Sequence, residues 1–128
     1  MIQWALQKAV FDQLSLLSTP VFDHVPQNTK PPYITIGEDT SIEWDTDTEL
    51  GSESTITVHV WSRQPGRREV KEIMEDVYHT LHRQTLYSNG IIYVNVNWEF
   101  SETFLDPDGV TRHGVMRFRI LSQEANNE

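Results

Sequence analysis

The 128-residue chain contains no cysteine. That excludes a disulfide framework and thiolate metal ligation, and it fits a reducing compartment. Apolar runs approaching the ~20 residues needed to cross a bilayer are missing as well. Gly37, Gly66, Gly90, Gly109 and Gly114, five of the six glycines, stand singly in turns and strand edges, so no glycine-rich phosphate cradle can form. Basic residues are scarce, 10 Lys and Arg against 19 Asp and Glu, for a net charge of -9. Such a balance argues against a nucleic-acid binder that works by neutralising phosphates. It is compatible with a wall that surrounds a duplex without gripping it, since like charges repel. The start, Met1-Ile2-Gln3-Trp4, has neither a basic segment nor a small-residue cleavage site, and the expectation is a soluble protein with no membrane partner.

What is present is the composition of a globular protein: 38% hydrophobic residues, with 4 Trp, 5 Phe and 4 Tyr. A chain of this length buries roughly two-thirds of its unfolded surface, enough for one core. The expected organisation is one domain over residues 1–121 and a frayed polar tail over 122–128.

Residues 2–17 carry Ile2, Leu6, Ala9, Val10, Leu14 and Leu17 at helical spacing, and Ser18-Thr19-Pro20 ends the segment. Residues 21–25 and 33–37 read as short strands, the second entered from Pro31-Pro32, whose fixed φ angles favour extended backbone. Residues 38–53 hold seven acids and no Lys or Arg, which predicts a solvated, mobile loop or a hairpin arm. Ile56, Val58 and Val60 then alternate with Thr55, Thr57 and His59, the period of a half-buried strand.

A second helix is expected over residues 67–83, with Val70, Ile73, Val77 and Leu81 on one face and Met74 and Tyr78 beside them. Tyr87-Ser88-Asn89-Gly90 reads as a tight turn. Ile92, Val94, Val96, Trp98 and Phe100 alternate with polar residues along a long strand. Asp106-Pro107-Asp108-Gly109 reverses it, and a partner strand follows with Met116, Phe118 and Ile120 inward and Arg117 and Arg119 outward. The order α-β-β-β-α-β-β lacks repeated βαβ units. It predicts an α+β fold: an antiparallel or mixed sheet of about five strands with two helices on one face.

Candidate chemistry is thin. His79 and His82 lie three apart on the second helix and could offer two imidazoles to a metal, but a third ligand and a supporting shell are not evident. A solvated helix face is the plainer account. The acids from Asp45 onward fail the calcium-loop pattern, because Leu50 stands where its glycine belongs and Ile56 where its bidentate acid belongs. Ser62 near His59, and Ser101 near Glu99, lack the turn that frames a nucleophilic serine. No catalytic residue, metal ligand or cofactor is assigned.

Arg63, Arg67 and Arg68 form the one basic cluster, at a strand-to-helix junction. Positive charge in a first helical turn opposes the helix dipole by a few tenths of a kcal/mol. Two accounts stay open: an interface, or simple neutralisation of Glu69 and Glu72. As an interface, the cluster would face the acidic stretch of a neighbouring copy, with Glu43, Trp44, Asp45, Asp47 and Glu49 as the opposing candidates.

Several segments together carry a family resemblance: His24-Val25-Pro26, Pro32-Tyr33-Ile34-Thr35-Ile36-Gly37, His59-Val60-Trp61-Ser62-Arg63, Gly66-Arg67, the second helix with Val77, Tyr78 and Leu81-His82, and Asp106-Pro107-Asp108-Gly109-Val110-Thr111. Over nearly its whole length the chain resembles the tail completion (tail terminator, head–tail joining) proteins of long-tailed bacteriophages. The resemblance implies a ring-forming α+β subunit, typically a hexamer, on the end of the completed tail tube. That ring halts tube growth and docks with the connector of the filled head, and DNA passes through its lumen. The implied partners are other copies of itself, the tail tube protein and the head connector or stopper. The implied location is the virion, at the head–tail interface, after assembly in the host cytoplasm. No catalytic residue is carried over. Two other classes compete: a small metal-dependent hydrolase using His79, His82 and the acidic stretch, and a host-derived adaptor whose acidic stretch mimics nucleic acid.

Overall fold

The computed structural model describes residues 3–45, 50–88 and 91–124. The elements run α1 (Gln3–Leu14), β1 (Val21–Phe22), β2 (Tyr33–Asp45), β3 (Leu50–Ser62), α2 (Arg68–Leu81), β4 (Leu86–Ser88), β5 (Ile91–Leu105) and β6 (Arg112–Glu124). The strands form one mixed sheet in the order β1-β2-β3-β6-β5-β4, parallel only at β1/β2. The α+β class and the mixed sheet agree with the expectation. The sixth strand is β4, where Tyr87 and Ser88 pair with Ile92 and Ile91; Asn89 and Gly90 of the expected turn lie outside the described residues.

Helix α2 forms because Val70, Ile73, Met74, Val77 and Leu81 recur at 3.6-residue spacing, and all five are buried. It begins without a side-chain cap, at Arg67, and ends where His82 turns extended while its N–H still reaches the Tyr78 carbonyl at 2.8 Å. Helix α1 buries Ala5, Leu6, Ala9, Val10 and Leu14. Both helices pack into one cluster with Ile34, Ile36, Ile56, Val58, Val60, Val96, Met116, Phe118 and Ile120, so both cover the same face of the sheet. Each fully buried Leu, Ile, Val or Phe of that cluster contributes about 1.5–3 kcal/mol relative to exposure. Where α2 approaches β6, a Cβ on Gly114 would meet Met74 Sδ and crowd Val70, so a larger residue there would displace the Met74 side chain.

The acidic stretch is an arm and not a loop. Strand β2 continues through Asp45 and β3 starts at Leu50, with Ser41 facing Ser54 and Trp44 facing Gly51. Thirteen residues of strand span about 44 Å, whereas the 14-residue α2 spans about 21 Å, so the hairpin outreaches the helical layer. Residues 122–124 belong to β6 and are not a frayed tail, while residues 125–128 lie outside the described part.

The expected alternation along β5 fails. Register shifts between Val94 and Asn97, and again between Trp98 and Phe100, insert extra residues. Val96 is buried, Trp98 is partly exposed, and Phe100 emerges on the other face with the Arg117 guanidinium 5.4 Å from its ring centroid.

Candidate functional site

The charged candidates occupy opposite ends of the same hairpin. Glu43, Trp44 and Asp45 end β2 at one pole, and Asp47 and Glu49 lie outside the described residues. Arg63, Arg67 and Arg68 follow the far end of β3. The twelve residue steps from Leu50 to Ser62 place these groups about 40 Å apart. Within one subunit the structure does not bring them together.

The two accounts of the arginines are both partly realised. Arg68 Nε donates to Glu72 Oε1 at 2.8 Å, and the Glu72 carboxylate raises the Arg68 pKa. Glu69 is engaged elsewhere, accepting the hydroxyl of buried Ser62 at 2.7 Å. Arg63 reaches Asp108 at 3.9 Å and stays half-exposed. Asp108 itself is held at a pKa of about 2, first by the Thr111 hydroxyl, then by the backbone N–H groups of Thr111 and Val110, with a small contribution from Arg63. Arg67 is exposed at the start of α2.

The catalytic and metal candidates disperse. His82 Nδ1 accepts the Trp98 backbone N–H at 3.1 Å, and its ring stacks on Tyr78. His79 pairs with Glu75 at 3.3 Å on the exposed side of α2. Among the described residues no three His, Asp or Glu side chains converge as metal ligands. Ser62 faces the helices, whereas His59, of opposite strand parity, faces away from them. Ser101 Oγ accepts the Trp98 indole N–H at 2.7 Å. Ile56, at the twelfth position of the calcium-loop comparison, is a buried strand residue.

Two features escaped sequence reasoning. The first crosses the uncovered face of the sheet: Phe22, Tyr33, Trp61, His113 and Phe104 form a chain of ring contacts over β1, β2, β3, β6 and β5. Within it Trp61 and His113 stack at 3.7 Å. His59 Nδ1 lies 2.7 Å from His113 Nε2, and His113 Nδ1 lies 3.5 Å from Asp106. Register makes this row, since Tyr33 faces Trp61, Trp61 faces His113 and His113 faces Phe104. The second is a 440 Å³ cleft between α2 and β5, lined by Lys71, Met74, Tyr78 and Trp98 among others. No local sequence signal marks either; only the strand register could have found them.

A two-layer subunit with a long projecting arm, unlike charged poles and an aromatic face left uncovered is organised as a structural building block. Comparison with known proteins agrees. Residues 5–123 match the family described as tail completion protein gp17. The tail completion protein gp17 of Bacillus phage SPP1 is 30% identical over 123 residues, covering 91% of this chain and 90% of that protein. In fold the chain resembles a subunit of the virion of a native gene transfer agent particle, with a TM-score of 0.86 at 20% identity over 95% of this chain and 97% of the other. A structure of bacteriophage SPP1 gp17 aligns with a TM-score of 0.57 at 25% identity, over 97% of this chain and 91% of that one. The chain belongs to the tail completion protein gp17 family and is a structural component of the virion tail.

Proposed function

We propose that this chain forms a ring on the end of a completed tail tube, stops its polymerisation and gives the head connector a surface to join. The observation that carries this reading is the division of charge between the two ends of one long hairpin. Seven acids and no Lys or Arg occupy residues 38–53, and Arg63, Arg67 and Arg68 follow the opposite end. A terminator has two tasks that a single kind of end cannot serve. One end must match the tube. The other must refuse a further tube subunit while accepting the head, and a concentrated like charge supplies that refusal.

The same polarity suits a ring. Copies joined head to tail bring unlike patches into contact at every interface, and the contacts close when the rotation between copies closes. An acidic lumen or rim also lets a duplex pass without adhering. Electron microscopy of particles assembled without this chain tests the proposal. Overlong or headless tails are expected, and normal virions would refute it.

A further inference from the structure

We propose that two uncovered strand edges of this fold are complementary: β2 of one copy adds to β5 of a second copy, antiparallel, and carries the sheet from subunit to subunit. This rests on the ring reading above and specifies its contact.

Both edges are only partly covered within the chain. Strand β1 pairs with Ile34 and Thr35, and among the described residues no other strand neighbours β2 on that side from Ile36 to Asp45. Strand β4 pairs with Ile91, Ile92 and Tyr93 alone. Beyond it, Arg83 N–H donates to the Val96 carbonyl at 2.7 Å and Trp98 N–H to His82. Past Trp98, no backbone partner covers that side of β5 among the described residues.

The alternation of antiparallel pairs identifies the groups on offer. Trp98 aims its N–H away from β6, so Ser101 and Thr103, opposite Met116 and Gly114, do the same. Ile34 aims its N–H away from β3, to the Pro20 carbonyl, so Asp39, Ser41 and Glu43, opposite Ile56, Ser54 and Ser52, follow. Edges that must stay single are blunted by Lys, Pro or shortness. Neither Asp39-Thr40-Ser41-Ile42-Glu43-Trp44-Asp45 nor Glu99-Phe100-Ser101-Glu102-Thr103-Phe104-Leu105 contains Lys or Pro. Of the two bulges of β5, one lies upstream of its open part and the other, between Trp98 and Phe100, begins it; β2 shifts register between Ile36 and Asp39, and both strands run on regularly beyond.

Direction and stagger agree as well. Three successive antiparallel pairings, β2/β3, β3/β6 and β6/β5, make β2 and β5 run oppositely, so a rotated copy meets them antiparallel. The open part of β2 centres on Ser41, level with Ile120 across β3, and that of β5 on Glu102, level with Val115. The offset is about 17 Å along the strands for an advance of four strand spacings, about 19 Å. Those two lengths correspond to a strand tilt of about 42°, inside the ~35–45° at which sheets close into barrels.

Chemistry favours the same occupant. The cleft beside the open β5 edge presents Met74, Tyr78 and Trp98 with Lys71 at its wall. The incoming sequence Ile42-Glu43-Trp44-Asp45 alternates apolar with acidic residues. Adding antiparallel, β2 would set Asp39 toward Leu105, nearest the pole that carries Arg63, Arg67 and Arg68, and Glu43 and Asp45 toward Glu99.

The cysteine-free sequence allows a direct test. A chain carrying Ser41→Cys and Thr103→Cys is bound to purified tails that lack this protein and treated with a short bis-maleimide linker. Within one subunit these positions lie about 14 Å apart across the sheet and about 20 Å along it, too far for such a linker. A ladder of covalent dimers and higher species is expected, with monomers only from either single variant. Double-variant protein that caps tails yet stays monomeric, or couples only to a different protein, overturns the edge pairing and leaves the capping role intact. Failure to locate on tail ends at all overturns the role and the pairing with it. A second variant, Thr103→Pro, removes an edge donor that no described strand of the same chain uses. At least a tenfold loss of tail-end occupancy is expected from it, and unchanged occupancy in a folded variant contradicts the proposal.

Discussion

His59 and His113, 54 residues apart in sequence, share a hydrogen bond of 2.7 Å between Nδ1 and Nε2 on the uncovered face of the sheet. The His59 ring lies over Gly37, where any Cβ would overlap its Nε2 and Cδ2. Since the ring is held by His113 and flanked by Trp61, it cannot swing aside freely. Gly37→Ala is therefore expected to lower stability by about 1–3 kcal/mol, the cost of overpacking. Removing the obstacle with His59→Ala in the same chain should recover part of that loss. Denaturant unfolding of the two single variants and the double variant measures the coupling; additive effects would mean that the overlap does not decide the site.

Asp108 sets the acid limit of the β5–β6 turn. Its carboxylate collects the Thr111 hydroxyl and two backbone N–H groups, and its folded pKa of about 2 lies below the ordinary 3.8. A folded value below the unfolded one means stability that is fully present above 3.8 and lost as pH falls through about 2. Asp108→Ala should lower the thermal midpoint at neutral pH and flatten its fall between pH 4 and 2. A variant whose acid profile overlays the parent would show that the turn does not need this charge.

Ser62 joins β3 to α2 by a hydrogen bond from its buried hydroxyl. Its hydroxyl donates to Glu69 at 2.7 Å and accepts the Gln64 N–H at 3.2 Å. Ser62→Ala strips both bonds from a site that water does not reach, and a loss of about 1–3 kcal/mol is expected. Chemical denaturation reads it directly. Because the junction positions Arg63, Arg67 and Arg68, the same variant should also weaken tail binding, though less than substitution of the arginines themselves.

How much of this was legible in the sequence depends on how locally each feature is determined. The stripe of α2 and the alternation of Met116, Phe118 and Ile120 in β6 hold residue by residue, because each is fixed by one period and one buried face. Strand β5 misled because two bulges change its phase, and a bulge has no residue signature of its own; Trp98 and Phe100, read on one side with Val96, part company there. The acids of residues 38–53 pointed equally to loop and arm. Cross-strand pairs such as Thr40 with Thr55, whose hydroxyls meet at 2.6 Å, belong to the arm. The His59–His113–Asp106 row was invisible because it exists only once β3, β6 and the turn that leads into β6 are in register.

Charge reversal at Arg67 and Arg68 separates assembly from folding. Both side chains are exposed at the first turn of α2, a place where positive charge opposes the helix dipole, and Arg68 is engaged by Glu72 on its own helix. Replacing the pair by Glu removes that dipole conflict, so the fold should hold and its thermal midpoint should shift by only a few degrees. Contact with the acidic arm of a neighbouring copy would turn from attraction to repulsion. Capping of isolated tails should then fall at least tenfold, and the parent protein's capping should weaken as salt is raised past about 0.15 M, where the screening length drops to roughly 8 Å. A double variant that caps tails as well as the parent, with the same salt response, would remove these arginines from the interface and leave the open strand edges to hold the copies together unaided.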